Sequence, residues 1–309
     1  MPRRLRASAA LLSPIVAALL LAPGASATDT PQAPSPARVK SGPAFPGSCG
    51  QPPALRPHTF PARPRVDNTF LPLKPGTRLV LTGDVAGEDH RVVTTVTDLT
   101  KVIDGVRTVV VFDQDFNGDE IQESELAFFA QDRRGTVWRL GEYPEIYENG
   151  ELVGAPDTWI SGVEGARAGI AMLARPRVGT PTYTEGLAPE IDFLDCATVF
   201  RTNQNVCVPV GCFHHVLVTD EFAPLDPEGG HQRKSYAPHV GNIKVEPVGE
   251  ANPETLSLTE FTRLGRKELA AVRKEVLAQD ARGYEISPDV YGTTPPAQPA
   301  RPKGLPVLP

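Results

Sequence analysis

The sequence predicts a mainly β protein: an antiparallel meander forming a curved sheet or partly closed barrel, with one C-terminal amphipathic helix. Three observations lead there. Runs rich in Val, Thr and Leu, residues that suit a pleated and half-buried surface, recur at residues 78–81, 90–99 and 107–112, and again between 181 and 261. Asp104-Gly105, Asn117-Gly118 and Asn149-Gly150 are dipeptides that tolerate the positive φ of two-residue hairpin loops. With the turn Asp132-Arg133-Arg134-Gly135 they recur every 13 to 17 residues. Convincing helical spacing occurs in one segment, residues 266–281, where Leu269, Val272, Val276 and Leu277 fall at i, i+3, i+7 and i+8 and Gly283 follows as a stop.

Taken in order, residues 1–27 read as a signal peptide. Arg3, Arg4 and Arg6 form its positive start, residues 9–21 its apolar stretch, and Ala25-Ser26-Ala27 a small-x-small cleavage site. The apolar stretch is shorter than the ~20 residues a spanning helix needs, so the mature chain is expected to be secreted or extracytoplasmic with no transmembrane anchor after cleavage. Residues 28–65 form a Pro-rich N-terminal arm and residues 292–309 a Pro-rich tail. Both lack the apolar content that offsets the entropy of ordering, and both are expected to stay off the core. The antiparallel β domain spans residues 66–262, opening with an extended lead-in at 68–77, and residues 263–291 hold the helix and its extension. Within the domain, the Gly- and Ala-rich residues 159–177 suit a short helix, a buried crossover or a loop lining a cavity.

Four cysteines in an exported chain imply two disulfides, with three pairings open. Pro209-Val210 suits the loop of a hairpin in which Cys207 and Cys212 are the second facing pair, where Cα atoms come closest. That favours Cys207–Cys212 and leaves Cys49–Cys196 by elimination.

The net charge of -6, with no basic block in the body, argues against a nucleic-acid partner. The chain has no Gly-x-Ser-x-Gly elbow, no Ser-x-x-Lys and no His-Glu-x-x-His, and no catalytic residue is assigned. Asp113, Asp115, Asn117 and Asp119, with Gly118 at the sixth position, open like a calcium loop, but the twelfth position is Ser124. The favoured reading is a solvated acidic hairpin whose type I′ turn is Asn117-Gly118, with Asp115 facing Glu120; calcium stays the one candidate cofactor. His214 and His215 point to opposite faces of a strand and cannot share one ion. Nothing in the sequence ties His231 or His239 to a carboxylate. Trp138, Tyr143, Tyr147 and Trp159 cluster closely enough to line a pocket, although aromatics are more often plain core.

Several motifs occurring in order carry a family resemblance. They are residues 68–76; Thr100-Lys101-Val102-Ile103-Asp104-Gly105-Val106-Arg107; Ala130-Gln131-Asp132 with Val137-Trp138 and Gly141-Glu142; Gly165-Ala166-Arg167-Ala168-Gly169-Ile170; Cys207-Val208-Pro209-Val210-Gly211-Cys212; and Tyr236-Ala237-Pro238-His239-Val240-Gly241-Asn242. Over roughly residues 66–261 the chain resembles a family of exported, β-rich, mostly actinobacterial proteins, departing from it by placing His239 where Gly is usual. The resemblance implies a β-rich exported domain and brings no catalytic residue. The function expected is that of an exported, non-enzymatic β protein of the cell envelope or medium, binding a ligand or an envelope component. The alternative is an envelope hydrolase whose carboxylate acid/base pair is assembled only in the fold.

Overall fold

In a computed structural model describing residues 49–249 and 253–300, twelve antiparallel strands close into a barrel. They are β1 (Thr77–Val85), β2 (Glu88–Ile103), β3 (Val106–Asn117), β4 (Glu120–Gln131), β5 (Val137–Glu148), β6 (Arg167–Met172), β7 (Tyr183–Ala188), β8 (Phe193–Val208), β9 (Gly211–Phe222), β10 (His231–Ala237), β11 (Gly241–Val248) and β12 (Glu254–Arg263). Each strand pairs with its neighbour in sequence, and β12 returns to β1, so the expected partly closed sheet is fully closed. The expected signal peptide, residues 28–48 of the arm and residues 301–309 of the tail lie outside the described residues.

The period-two pattern explains the strands: Leu79, Leu81 and Val85 of β1 are buried, and Val80 and Thr82 between them are half-buried. Asp104-Gly105 (φ 48 and 74°) and Asn149-Gly150 (53 and 78°) make the expected turns, and Ala86-Gly87 makes a third of the same kind (52 and 88°). The β3–β4 loop differs. It is Gly118-Asp119, with Gly118 at positive φ, one residue later than the Asn117-Gly118 turn expected. A bulge between Asp115 and Phe116 inserts one extra residue on β4, so Asp115 faces Glu123 and not Glu120. Residues 159–177 form no helix; they supply a two-residue strand, Trp159–Ile160, on β5 and then β6.

The helix α1 (Arg266–Ile286) lies against the outer face of the barrel, where Val272 and Val276 join Leu99, Val110, Phe112, Phe128 and Leu140 in one cluster. It runs through Gly283, which is not a stop. A Cβ there would meet the Tyr291 ring at 2.5 Å, so glycine allows the close approach of the chain that follows. The buried stripe is also part polar. Lys101 is fully buried, and its ammonium donates to Asp280 Oδ1 (2.8 Å), the Tyr284 hydroxyl (2.8 Å) and Pro295 O (3.0 Å), beneath the Tyr291 ring at 4.1 Å. No helix among the described residues is long and apolar enough to cross a membrane.

Both Pro-rich ends dock where they are described, against expectation. Phe60 packs edge-on against Trp138 at 5.9 Å, and Gln298–Pro299 pairs with Leu99 and Thr100. The reason is an unpaired edge. The ladder of β1 on β2 ends at Arg78 and Thr95, and backbone groups beyond it need partners that the tail supplies. Both expected disulfides form, Cys207–Cys212 and Cys49–Cys196, the first joining directly facing residues with Cα atoms 4.0 Å apart.

Candidate functional site: the polar half of the barrel lumen

Alternation along β3 turns Val109, Val111, Asp113 and Asp115 inward, and the register sets them opposite Phe129, Ala127, Glu125 and Glu123 of β4. The lumen is therefore divided along its axis. At one end Val109, Val111, Ala127 and Phe129 meet Val96, Val137, Met172, Val199 and Leu217, and the lead-in residues Val66, Leu71 and Leu73 plug that end. Asn68 pins the plug: its amide donates to Gly135 O (2.9 Å) and Leu173 O (3.1 Å), and its Oδ1 accepts from the backbone of Phe70 and Leu71. The other end holds acids.

Two like-charged pairs face each other across β3 and β4, Asp113 with Glu125 and Asp115 with Glu123. Beside them β5 adds Arg139 and Glu142, β7 Glu185, β8 Asp195, β9 Glu221, β10 Lys234, β2 His90 and β12 Glu254. The three bases are committed. His90 points Nε2 at Glu254 Oε1 (2.9 Å) and Nδ1 at Asn117 Oδ1 (3.0 Å), leaving Asp115 at 3.3 Å as a charge neighbour without the proton. Lys234 lies 2.8 Å from Glu221 Oε2, whose other oxygen accepts from Thr219 (2.6 Å) and Tyr236 (3.1 Å). Arg139 pairs with Glu142, lies 3.6 Å from Asp195, and is stacked 5.6 Å from the Trp159 ring and 5.2 Å from Phe193.

Some groups find no partner. Both oxygens of Asp113 (2 % exposed) and of Glu125 (1 % exposed) lack a hydrogen bond, as do Arg139 Nε and Trp159 Nε1. Thr94, opposite Asp113 in the ladder, sets its hydroxyl alongside without a well-aligned bond. Buried polar atoms are normally paired, and each exception calls for an explanation.

Burial dominates the electrostatics. It raises the Asp113 carboxyl to about 7 against the opposing Thr94 hydroxyl and the charges of Arg139 and Lys234. Burial likewise raises Asp115 to about 7, with His90 opposing and Glu254 and Asp113 adding, and it raises Asp195 to about 6. Glu123, Glu125 and Glu185 are pushed well above the carboxylate range, again first by burial. For His90 burial acts downward, but the Glu254 hydrogen bond and the charges of Asp115 and Glu254 outweigh it and raise the imidazole to about 9. Burial thus favours the neutral forms of Asp113, Asp115, Glu123, Glu125 and Glu185, while His90 is held as an imidazolium.

The wall is thin at β6, which makes three register pairs with β5 and two with β7. Tyr183, Glu185 and Asp195, next to this seam, keep water-accessible surface although they point into the lumen; the Asp195 side chain is 13 % exposed.

The residues singled out in the sequence are distributed differently from expectation. Asp113 and Asp115 line the lumen, Asn117 bonds His90, and Asp119 is exposed in the turn. The calcium loop is not formed. A regular strand spaces alternate residues too far apart to converge, and no group of three or more His, Cys, Asp or Glu among the described residues could hold a metal ion. Trp138 and Tyr143 sit in the outer core under the arm and helix, Tyr147 donates to Glu145, and Trp159 stacks on Phe193 at 5.4 Å, so the four do not line one pocket. His214 and His215 hydrogen-bond Asn205 and Asn203 separately. His231 does meet a carboxylate, Asp220 at 2.8 Å. Glu123, Glu125, Arg139, Glu221 and Lys234 were not singled out, although Asp113 and Asp115 continue the inward parity of Val109 and Val111, which marks charge inside a barrel.

No family model matches the chain, and no curated protein matches it. Among solved structures, a protein proposed to be exported, with YmcC-like fold, from Bacteroides fragilis is 13% identical, covering 63% of this chain and 100% of its own, at a TM-score of 0.37. A proposed lipoprotein from Parabacteroides distasonis is 14% identical, covering 63% of this chain and 99% of its own, at 0.33. Likenesses this distant bear on neither fold nor function.

Proposed function

We propose that this is an exported, non-enzymatic barrel protein of the cell envelope or medium, of the actinobacterial type its motifs resemble, that binds a small ligand in its lumen. The observation that carries the reading is the set of unpartnered, buried polar atoms on Asp113, Glu125, Arg139 and Trp159 in the polar half of the lumen. Such atoms cost free energy unless something fills their hydrogen bonds. Export is supported by the signal-like residues 1–27 and by the pairing of all four cysteines, which fits an oxidising compartment.

A thermal-shift screen of small polar metabolites tests the reading. At least one hit should lose its effect in Glu125→Gln and keep it in Glu151→Gln, a change at an exposed strand. Hits that ignore both changes would sink it. The second reading, a hydrolase, draws on the facing Asp113–Glu125 pair, since a protonated and an ionised carboxyl can act as acid and base. Turnover of chromogenic glycosides or esters that disappears in Glu125→Gln would replace the binding reading with this one.

A further inference from the structure

We propose that the protein carries a second binding site, away from the polar half of the lumen, for a single-chain amphiphilic anion: an acyl chain ending in a carboxylate. The site is independent of the lumen reading above.

A cavity of about 970 Å³ lies at the plugged end of the barrel, at the upper end of the ~300–1,000 Å³ range of small-molecule sites. A break in the ladder makes room for it. Between Val96 and Thr100 the β2–β3 pairing shifts, setting Thr97, Asp98 and Leu99 against Val110 alone, so β2 bulges. The arm between Pro57 and Asp67 forms one wall, and Gln298–Pro299, paired with Leu99 and Thr100, forms another.

The interior is apolar. Phe60, Val66, Leu73, Leu99 and Val109 line it and are buried. No buried side-chain polar atom of a lining residue lacks a partner; Thr97 Oγ1 donates to Val110 O (2.7 Å) and Thr100 Oγ1 to Gln298 O (3.3 Å). With its hydrogen bonds already made, this interior favours methylenes over a polar ligand. The lining residues of β2 run from Thr97 to Val102, ~15 Å at ~3.3 Å per residue, which suits an extended chain better than a compact ring.

The rim supplies the charge. Arg63, Arg65, Lys74, Arg107 and Arg133 line the cavity at exposed or half-buried positions beside two acids, Asp67 and Asp98, in a chain of net charge -6. Both acids already hold an arginine: Asp67 lies 2.8 Å from Arg65, and Asp98 pairs with Arg273. Arg107 donates to the Thr100 hydroxyl (3.2 Å) and Arg133 to His58 O, both neutral acceptors. The local surplus is positive, so it attracts an anionic head and repels a cationic one.

The test titrates the protein with decanoate by calorimetry at about pH 8, where the carboxylate is ionised. Decanol, decyltrimethylammonium and acetate are the comparisons. Decanoate should bind about tenfold or more tightly than decanol, and the other two should not bind measurably. Affinity should rise about fourfold per methylene from hexanoate to decanoate. Lys74→Gln combined with Arg107→Gln should weaken decanoate about tenfold, whereas Lys267→Gln, an exposed helix cation that does not line the cavity, should not. Val102→Trp, which fills the slot from β2, should abolish binding. If that variant fails to fold, the length series and the Lys74/Arg107 pair still decide. Equal affinity for decanol, an affinity independent of chain length, or no decanoate binding at all would overturn the site. Decanoate binding kept by a folded Val102→Trp would do the same. Adhesion to phosphatidylglycerol vesicles that decanoate does not displace would mark a membrane-facing patch instead and overturn the enclosed site.

Discussion

Asp113→Asn should stabilise the protein at alkaline pH and do progressively less as pH falls. The native carboxyl titrates near 7 because burial disfavours its charge, against an unfolded value of 3.8. Between these two values the native state holds a proton that the unfolded chain has released. Stability therefore falls as pH rises through this window and levels off above it. With a shift of about three units, the loss from this one acid reaches about 4 kcal/mol above pH 8, the larger part of it accruing between pH 5 and pH 8. Asparagine keeps the shape without the titration. The gap in melting temperature between variant and parent should then widen by about 5–10 °C from pH 5 to pH 8 for a domain of this size. Scanning calorimetry of both proteins at several pH values measures it. A constant gap, or a parent that gains stability relative to the variant as pH rises, would refute a buried, proton-holding Asp113.

Lys101→Met should cost about 3–5 kcal/mol in chemical denaturation, because Asp280 would be left charged and buried without its ammonium. Gly283→Ala should destabilise, although alanine favours a helix by about 1 kcal/mol, since the added methyl meets the Tyr291 ring; a stabilised variant would contradict the packing. Cys49→Ser should lower the melting temperature more than Cys212→Ser, because loop closure over a separation of 147 residues contributes roughly 5 kcal/mol and over 5 residues roughly 2 kcal/mol. Limited proteolysis should spare residues 292–300, which the β2 edge and Lys101 hold; cleavage at residue 291 in the folded protein would count against that docking.

What was legible in the chain was local. Asp104-Gly105 and Asn149-Gly150 announce their turns because positive φ is a demand on single residues. Pro209-Val210 announces Cys207–Cys212 for the same reason, and Leu269, Val272 and Val276 announce a helix. The misreadings are all non-local. The bulge after Asp115 moves a turn by one residue and is set by partners on β4, not by the dipeptide Asn117-Gly118 itself. Gly283 resembles a stop because its reason for being glycine, the Tyr291 ring, arrives from the chain beyond the helix. β6 is short and rich in Gly and Ala, so the strand that closes the barrel carries the weakest strand signal. The lumen was half legible: the inward parity of Asp113 and Asp115 could be read, but not that Glu125, Arg139 and Lys234 converge on them from three other strands.

Joining the first strand to the last has a consequence for how the chain is made. Arg263 of β12 bonds Thr77 of β1 across 186 residues, so one side of β1 has no partner until the final strand exists. A chain emerging N-terminus first carries that bare edge through nearly its whole emergence, exposed to any other strand nearby. Early folding gains little, because β1 to β5 form an open ribbon with two raw sides. Loss of β12 would not yield a smaller barrel. It would leave β1 and β11 each with an unsatisfied backbone, ready to pair with a second copy.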